Sequence, residues 1–288
     1  MSKQLMRPDL PDEHGFLPLQ NKILEIMVDV DKVCRENDID YYIMGGTALG
    51  AKRHGGFIPW DDDLDIYMTP DNYKKFSKCF DQLGRDKYVI QEHGKVNDMV
   101  QLSKVRMNGT TYIEPLYKDK EMHHGIFIDI FMLHNCPNIV LQQKIQYFWS
   151  KYIDVLSLAH RGYSRRKGAA GFLIKVFRML PENFLRKFAM RSVYKYDDKK
   201  TDYYCNFFGK ARFKQGKYKR EIFGTPTDVD FETVKLMAPE KLHEFLKQRF
   251  GDYMKVPSPE RIKWEQHAEF WDIKKDYREY VKGGEMTE

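Results

Sequence analysis

Gly45-Gly-Thr-Ala-Leu-Gly-Ala-Lys-Arg-His-Gly-Gly-Phe-Ile-Pro-Trp-Asp-Asp-Asp-Leu-Asp-Ile-Tyr67 joins a glycine-rich junction to a run of carboxylates. Along an extended segment alternate side chains face the same way, so Asp63 and Asp65 share a face while Leu64 and Ile66 point into the core. Two carboxylates that close repel each other, and a cation makes the arrangement favourable. Hard oxygen ligands on adjacent same-face positions suit Mg²⁺ or Mn²⁺, leaving other positions for water and substrate phosphate. Upstream, the short strand Tyr41–Met44 runs into Gly45, Gly46 and Thr47. Glycines at a strand-to-helix junction let backbone N–H groups approach a phosphate, and Thr47 adds a hydroxyl donor. Asp129 is a further anomaly, set among Ile126, Phe127, Ile128, Ile130 and Phe131. An unpaired charge in such a central, covered strand costs several kcal/mol. A neighbouring strand bringing Asp129 beside Asp63 and Asp65 resolves both anomalies at one metal site. The competing reading of Asp61-Asp62-Asp63 is a solvated acidic loop.

Outward from this stretch the order of elements is legible. Leu19, Ile23, Ile26, Val30 and Val33 predict an amphipathic helix over residues 18–37. Leu64–Met68 reads as a strand, and Thr69-Pro70 starts a helix with Tyr73, Phe76, Phe80 and Leu83 on its buried stripe, stopped by Gly84. Tyr88–Gln91, Gln101–Met107, Thr110–Glu114 and Gly125–Met132 read as strands. Beyond Asn138 the pattern is mainly helical, as in Leu141–Leu158, the basic stretch through Tyr196, and Pro239–Phe250 stopped by Gly251. The expected fold is an α/β (α+β) core with a mixed sheet over residues 18–136. A mainly helical, basic C-terminal half over 137–288 follows it.

The 288 residues carry 48 basic and 42 acidic side chains, with 42% hydrophobic and 14% aromatic content. Disordered and collagen-like classes are excluded by that composition. No apolar run approaches the roughly 20 residues of a membrane span, and the N-terminus lacks the pattern of a secretion signal. The expectation is a soluble, cytoplasmic protein. Cys34, Cys79, Cys136 and Cys205 are too scattered for a zinc knuckle or a disulfide framework. The charge is uneven: Pro137–Arg220 holds 20 Lys/Arg against 5 Asp/Glu, a local +15, so the remainder carries −9 of the net +6. Basic residues there are interleaved with apolar ones, as in Phe172–Leu180 and Phe184–Phe188. A solvated helix face, a nucleic-acid patch and a surface touching anionic lipid all fit that composition.

The combination of strand, Gly-Gly-Thr, helix, alternating acids and a third acid on a later strand resembles the nucleotidyltransferase superfold. More closely, Met44–Ala51, Arg53-His54, Phe57–Ile66 and Gly125–Phe131 resemble the LicD family of phosphocholine transferases, whose core the fukutin-type sugar phosphotransferases share. Phe250–Pro257 is similar to a further family segment near the C-terminus, whereas 138–220 matches little. One departure is Met132-Leu133-His134, where the family often has Pro-Leu-Asp. The resemblance implies transfer of phosphocholine from CDP-choline to a glycan, such as a teichoic acid precursor or a lipopolysaccharide sugar, with CMP leaving. It implies that Asp63 and Asp65 hold a divalent ion on the donor diphosphate and that Gly45, Gly46 and Thr47 seat a phosphate oxygen. Asp129 then completes the metal site or accepts the proton of the attacking hydroxyl.

Lys104 and Arg106 alternate on one strand face and are candidates to neutralise the diphosphate, against the reading of a solvated edge. His54 reads as structural before phosphate-binding, and His123-His124 lack the partners of a zinc site. Trp60 reads as packing, as do Trp264 and His267, three apart on an expected helix. Besides phosphocholine transfer at the inner membrane face, two functions remain. One is nucleotidyl transfer from ATP or CTP to a small soluble acceptor. The other is nucleic-acid binding through the basic middle, which has no recognisable motif to support it.

Overall fold

The computed structural model describes residues 4–92, 102–160, 182–209, 211–262, 266–282 and 285–286. Phe172–Leu180, Trp264 and Gln101 therefore lie outside the described residues. Helix α1 spans Leu17–Glu36, and its stripe of Leu19, Ile23, Ile26, Val30 and Val33 is buried. That stripe packs on a five-stranded mixed sheet of order β1-β2-β6-β4-β3. These strands are Tyr42–Ile43, Asp65–Met68, Phe127–Met132, Leu102–Met107 and Tyr88–Gln91 respectively. Only β2 and β6 run parallel, with Asp65 opposite Asp129 and Ile66 opposite Ile130. The apolar run around Asp129 takes the central place its composition demands, with Ile126 and Ile128 fully buried.

Between β1 and β2 the chain makes helix α2, Gly45–His54. Helix α3, Pro70–Cys79, follows β2, with Thr69 accepting the Asn72 N–H as N-cap and a short 3₁₀ turn carrying it to Leu83. Strand β5, Thr111–Ile113, leaves the main sheet and pairs with β12, Phe270–Asp272, so the far end of the chain returns to the first half.

Helices α4, Val140–His160, and α5, Glu182–Tyr194, pack together on a second cluster of Tyr152, Ile153, Leu156, Ala189 and Val193. The mainly helical expectation holds for this pair and again for Leu242–Phe250, stopped by Gly251 as expected, but not for the stretch between them. Beyond the pair, β8 (Tyr203–Cys205) and β9 (Lys217–Lys219) extend β7 (His134–Cys136) into a three-stranded sheet. Strands β10 (Thr227–Phe231) and β11 (Val234–Ala238) form a hairpin before helix α6, Leu242–Phe250. These strands are short and gain their stability from side chains sunk into the main core, where Tyr204, Tyr218, Phe231, Leu236 and Phe245 join residues from the first half. Among the described residues no helix is long and apolar enough to cross a membrane.

The β10–β11 hairpin is fastened to the loop that leads into the carboxylates. Glu232, at the turn, accepts the Phe57 N–H at 2.9 Å and pairs with Arg7 Nε at 3.1 Å. Its side chain is 1% exposed. Removing the carboxylate leaves the buried Phe57 N–H without its acceptor and the Arg7 guanidinium with only the His54 carbonyl. Glu232→Ala is therefore expected to lower the unfolding free energy by about 3 kcal/mol. Chemical denaturation measures it, and a loss below about 1 kcal/mol would show that the hairpin is not a fastener.

Candidate functional site

Helix α2 opens at two glycines against which carboxylates lie. Gly45 has φ +54°, and a Cβ there would stand 3.1 Å from Asp65 Oδ2. A Cβ on Gly46 would stand 2.5 Å from Asp61 Oδ2. The glycines thus let two carboxylates approach the helix N-terminus, whose unpaired N–H groups and dipole favour anions. Thr47, buried on the first turn, accepts the Asp65 N–H through Oγ1 at 2.8 Å, tying helix to strand.

The acidic run is not a solvated loop. Gln20 of α1, itself buried, donates to the carbonyls of Ile58 and Asp61 at 3.2 and 2.8 Å and fixes the turn. Asp62 is fully buried and accepts the backbone N–H groups of His267 and Ala268 at 2.7 and 2.8 Å. Strand β2 begins at Asp65, and Asp63 lies just before it; Leu64 and Ile66 are fully buried, so the alternation of faces is as expected. Burial, then the charges of Asp63, Asp62 and Asp65, push the Asp61 carboxyl well above the usual range. Burial also raises Asp63, against the pull of His267 and a hydrogen bond from Asp61.

Asp129 has a partner that its own neighbourhood in sequence does not supply. Antiparallel pairing of β4 with β6 sets Lys104 opposite Asp129, with Nζ 2.8 Å from Oδ1. Lys104 also reaches Glu114 at 3.4 Å and sits 3.4 Å from the Phe127 ring centroid. Burial nevertheless lifts Asp129 to about 6, Lys104 offsetting part of the effect. Arg106 shares that strand face but turns to other partners. Fully buried, it donates to Gln91 Oε1 at 2.8 Å and the Gly125 carbonyl at 3.0 Å, and pairs with Glu114 at 3.3 Å.

The structure therefore gathers Asp65, Asp129 and Lys104 by strand register and brings Asp63 alongside, whereas Arg106 is held within the sheet. His267, read from sequence as helical core packing, instead lies in an extended segment. Its Nδ1 is 3.1 Å from Asp62 and 3.3 Å from Asp63. Among the described residues Asp62, Asp63 and His267 are the group of three whose possible ligand atoms lie within 4.8 Å of one another. Asp62 already accepts two backbone N–H groups there, which gives it a fastening role. Sequence reading took His267 as packing and weighed Asp61 as part of a solvated acidic run, and Glu114, at the end of an expected strand, was given no role. His54 and Trp60 meet edge-on at 6.1 Å, and burial and Arg53 lower His54 to about 4, which fits packing. His123 Nε2 is bonded to Asn108 Oδ1, and His124 Nε2 to the Lys120 carbonyl, both at 2.9 Å. His134, at the departure from the family pattern, is buried against Asp197 at 2.8 Å. Arg53 donates to the Tyr253 carbonyl at 3.1 Å, joining the two separated stretches that carry the resemblance.

Folded Asp129 keeps its proton up to about pH 6, while the unfolded carboxyl releases it near its ordinary value of 3.8. Folding takes up a proton between those values, so this group's contribution to stability falls as pH rises through the window. Asn does not titrate. The difference in Tm between Asp129→Asn and wild type is expected to move in the variant's favour from pH 4 to pH 6.5, by the equivalent of about 1–3 kcal/mol. A difference that is flat with pH contradicts the assignment.

Comparison with known proteins adds the following. Residues 38–151 match the family described as LicD/FKTN/FKRP, nucleotidyltransferase domain. The chain is 26% identical over 249 residues to the lipopolysaccharide cholinephosphotransferase LicD of Haemophilus influenzae, covering 82% of this chain and 90% of that protein. An uncharacterized protein of Rickettsia typhi is 38% identical over 74 residues, 26% of this chain and 24% of its own length. One from Rickettsia prowazekii is 40% identical over 65 residues, 22% of this chain and 24% of its own length.

Proposed function

From the match of residues 38–151 to the LicD/FKTN/FKRP nucleotidyltransferase-domain family, we propose that the chain is a transferase moving phosphocholine onto a glycan hydroxyl. The observation that carries the reading is the approach of Asp61 and Asp65 to the glycines of α2, with Asp63 hydrogen-bonded to Asp61 and Asp129 in register beside Asp65. The likeness to a lipopolysaccharide cholinephosphotransferase along most of both chains supports the transferred group and favours a lipopolysaccharide sugar over a teichoic acid precursor as acceptor. The donor is CDP-choline and the leaving group CMP. A nucleotide-activated donor sets the reaction on the cytoplasmic side, at the inner face of the membrane.

The residues fit a divalent cation. The donor set is hard oxygen, and burial, with neighbouring acids adding to it, holds Asp61, Asp63 and Asp129 above their ordinary range, a cost that a cation relieves. Asp63 and Asp65 would hold Mg²⁺ or Mn²⁺, which when bound would neutralise the donor diphosphate. Asp129 takes the proton of the glycan hydroxyl. The freed oxygen attacks the phosphorus bearing choline, the bond from that phosphorus to the bridging oxygen breaks, and CMP leaves with the electron pair. Lys104 holds Asp129 in place and keeps an ammonium beside the developing charge. Arg106 anchors Glu114, and Glu114 in turn steadies Lys104. Although burial pushes Glu114 upward, Lys104 and Arg106 hold it below its ordinary value.

CMP release from CDP-choline with Mg²⁺ and a lipopolysaccharide acceptor tests the reading. Wild type is expected to turn over, and Asp63→Asn and Asp65→Asn each to lose about 10³-fold or more while unfolding as cooperatively as wild type. Consumption of ATP or CTP with a small soluble acceptor, and none of CDP-choline, would replace phosphocholine transfer by nucleotidyl transfer.

A further inference from the structure

The α4–α5 pair carries a surface that neither the core nor the carboxylate site uses. On α4, Val140, Leu141, Ile145 and Phe148 are 61%, 67%, 48% and 56% exposed, with exposed Lys144 among them. At 3.6 residues per turn these five positions fall within an arc of about 140°. On α5, Phe184 and Phe188 are exposed, and so are Lys187 and Arg191 on the same stripe, with Lys195 just past the helix end. Half-buried Trp149 links the stripes, its ring 5.3 Å from Phe148 and 4.9 Å from Phe188. The inner faces of the helices are already satisfied by Tyr152, Ile153, Leu156, Ala189 and Val193. Among the described side chains of the two helices no exposed carboxylate occurs; Asp154 is half-buried and paired with Lys151.

Large apolar tips alternating with Lys and Arg are what a bilayer headgroup region accepts: rings and aliphatic ends sink to the acyl boundary while ammonium and guanidinium groups meet lipid phosphates. The centre of a protein–protein interface, by contrast, is depleted in Lys. The local +15 of Pro137–Arg220 adds long-range attraction to a negative surface. We propose that this face docks the protein on anionic lipid, with Leu141, Phe148, Phe184 and Phe188 inserting and Lys144, Lys187 and Arg191 contacting phosphates. Docking of this kind goes beyond the transfer reading and does not depend on it.

Flotation with vesicles of phosphatidylcholine alone, and with phosphatidylglycerol added, tests the proposal. Wild type is expected to float with the anionic vesicles only, and less at high salt. The double variant Phe148→Ser/Phe184→Ser and the double variant Lys187→Glu/Arg191→Glu are each expected to partition about tenfold or more weakly, with circular dichroism unchanged since all four side chains point to solvent. Asp63→Asn is expected to float like wild type, which separates this readout from the catalytic one. Absence of binding to anionic vesicles overturns the proposal, as does binding that the Phe substitutions leave intact. A wild-type dimer in sedimentation velocity that the same substitutions dissociate also overturns it, because the face then joins two copies of the chain.

Discussion

Like charges confined in a small buried volume are the constraint on which the rest of this structure depends. Asp61, Asp62, Asp63 and Asp65 follow one another at the mouth of α2, and strand pairing adds Asp129. Burial alone would drive such carboxyls to the neutral form. Asp62 escapes by accepting two backbone N–H groups, and Asp129 is partly compensated by Lys104. Asp61 and Asp63 remain elevated and share a hydrogen bond. The cation and phosphorylated donor proposed above would neutralise the acids that the protein's own groups leave uncompensated.

Holding the acids in place falls to distant parts of the chain. Gln20 grips the turn from α1, and Glu232 pins its approach through Phe57 and Arg7. The segment at His267 is seated on Asp62, and β12 continues from it into pairing with β5. These attachments draw on residues on both sides of Cys136, just as the main core does. The α4–α5 pair stands apart on its own small core and leaves an apolar, basic face outward. The proposed chemistry and the proposed lipid docking therefore fall on different elements and are separable by substitution.

Much of the site was legible because its signals are local. Alternation of Asp63 and Asp65 with Leu64 and Ile66, the glycines before α2, and an acid inside an apolar strand all show in a few consecutive residues. The partner of Asp129 was not legible, since the register that sets Lys104 opposite it is a property of two strands pairing at a distance. Nothing near His267 announces Asp62, which lies 205 residues away. The strands β8 to β12 escaped for a related reason: they are three to five residues long, and burial in the shared core stabilises them more than intrinsic propensity does. Arg106 shows the opposite error, since strand alternation gave its face correctly but not the glutamate and carbonyl that engage it there.

Direct binding of Mn²⁺, followed by its electron paramagnetic resonance signal with CDP-choline present, tests most directly whether the gathered carboxylates exist to hold a cation on a donor. Wild type should take up Mn²⁺ more tightly with CDP-choline than without it, and Asp63→Asn/Asp65→Asn should lose that uptake while remaining folded. Equal uptake by wild type and the variant, or no uptake by wild type with the donor present, would contradict the account and leave the acids a purely structural cluster.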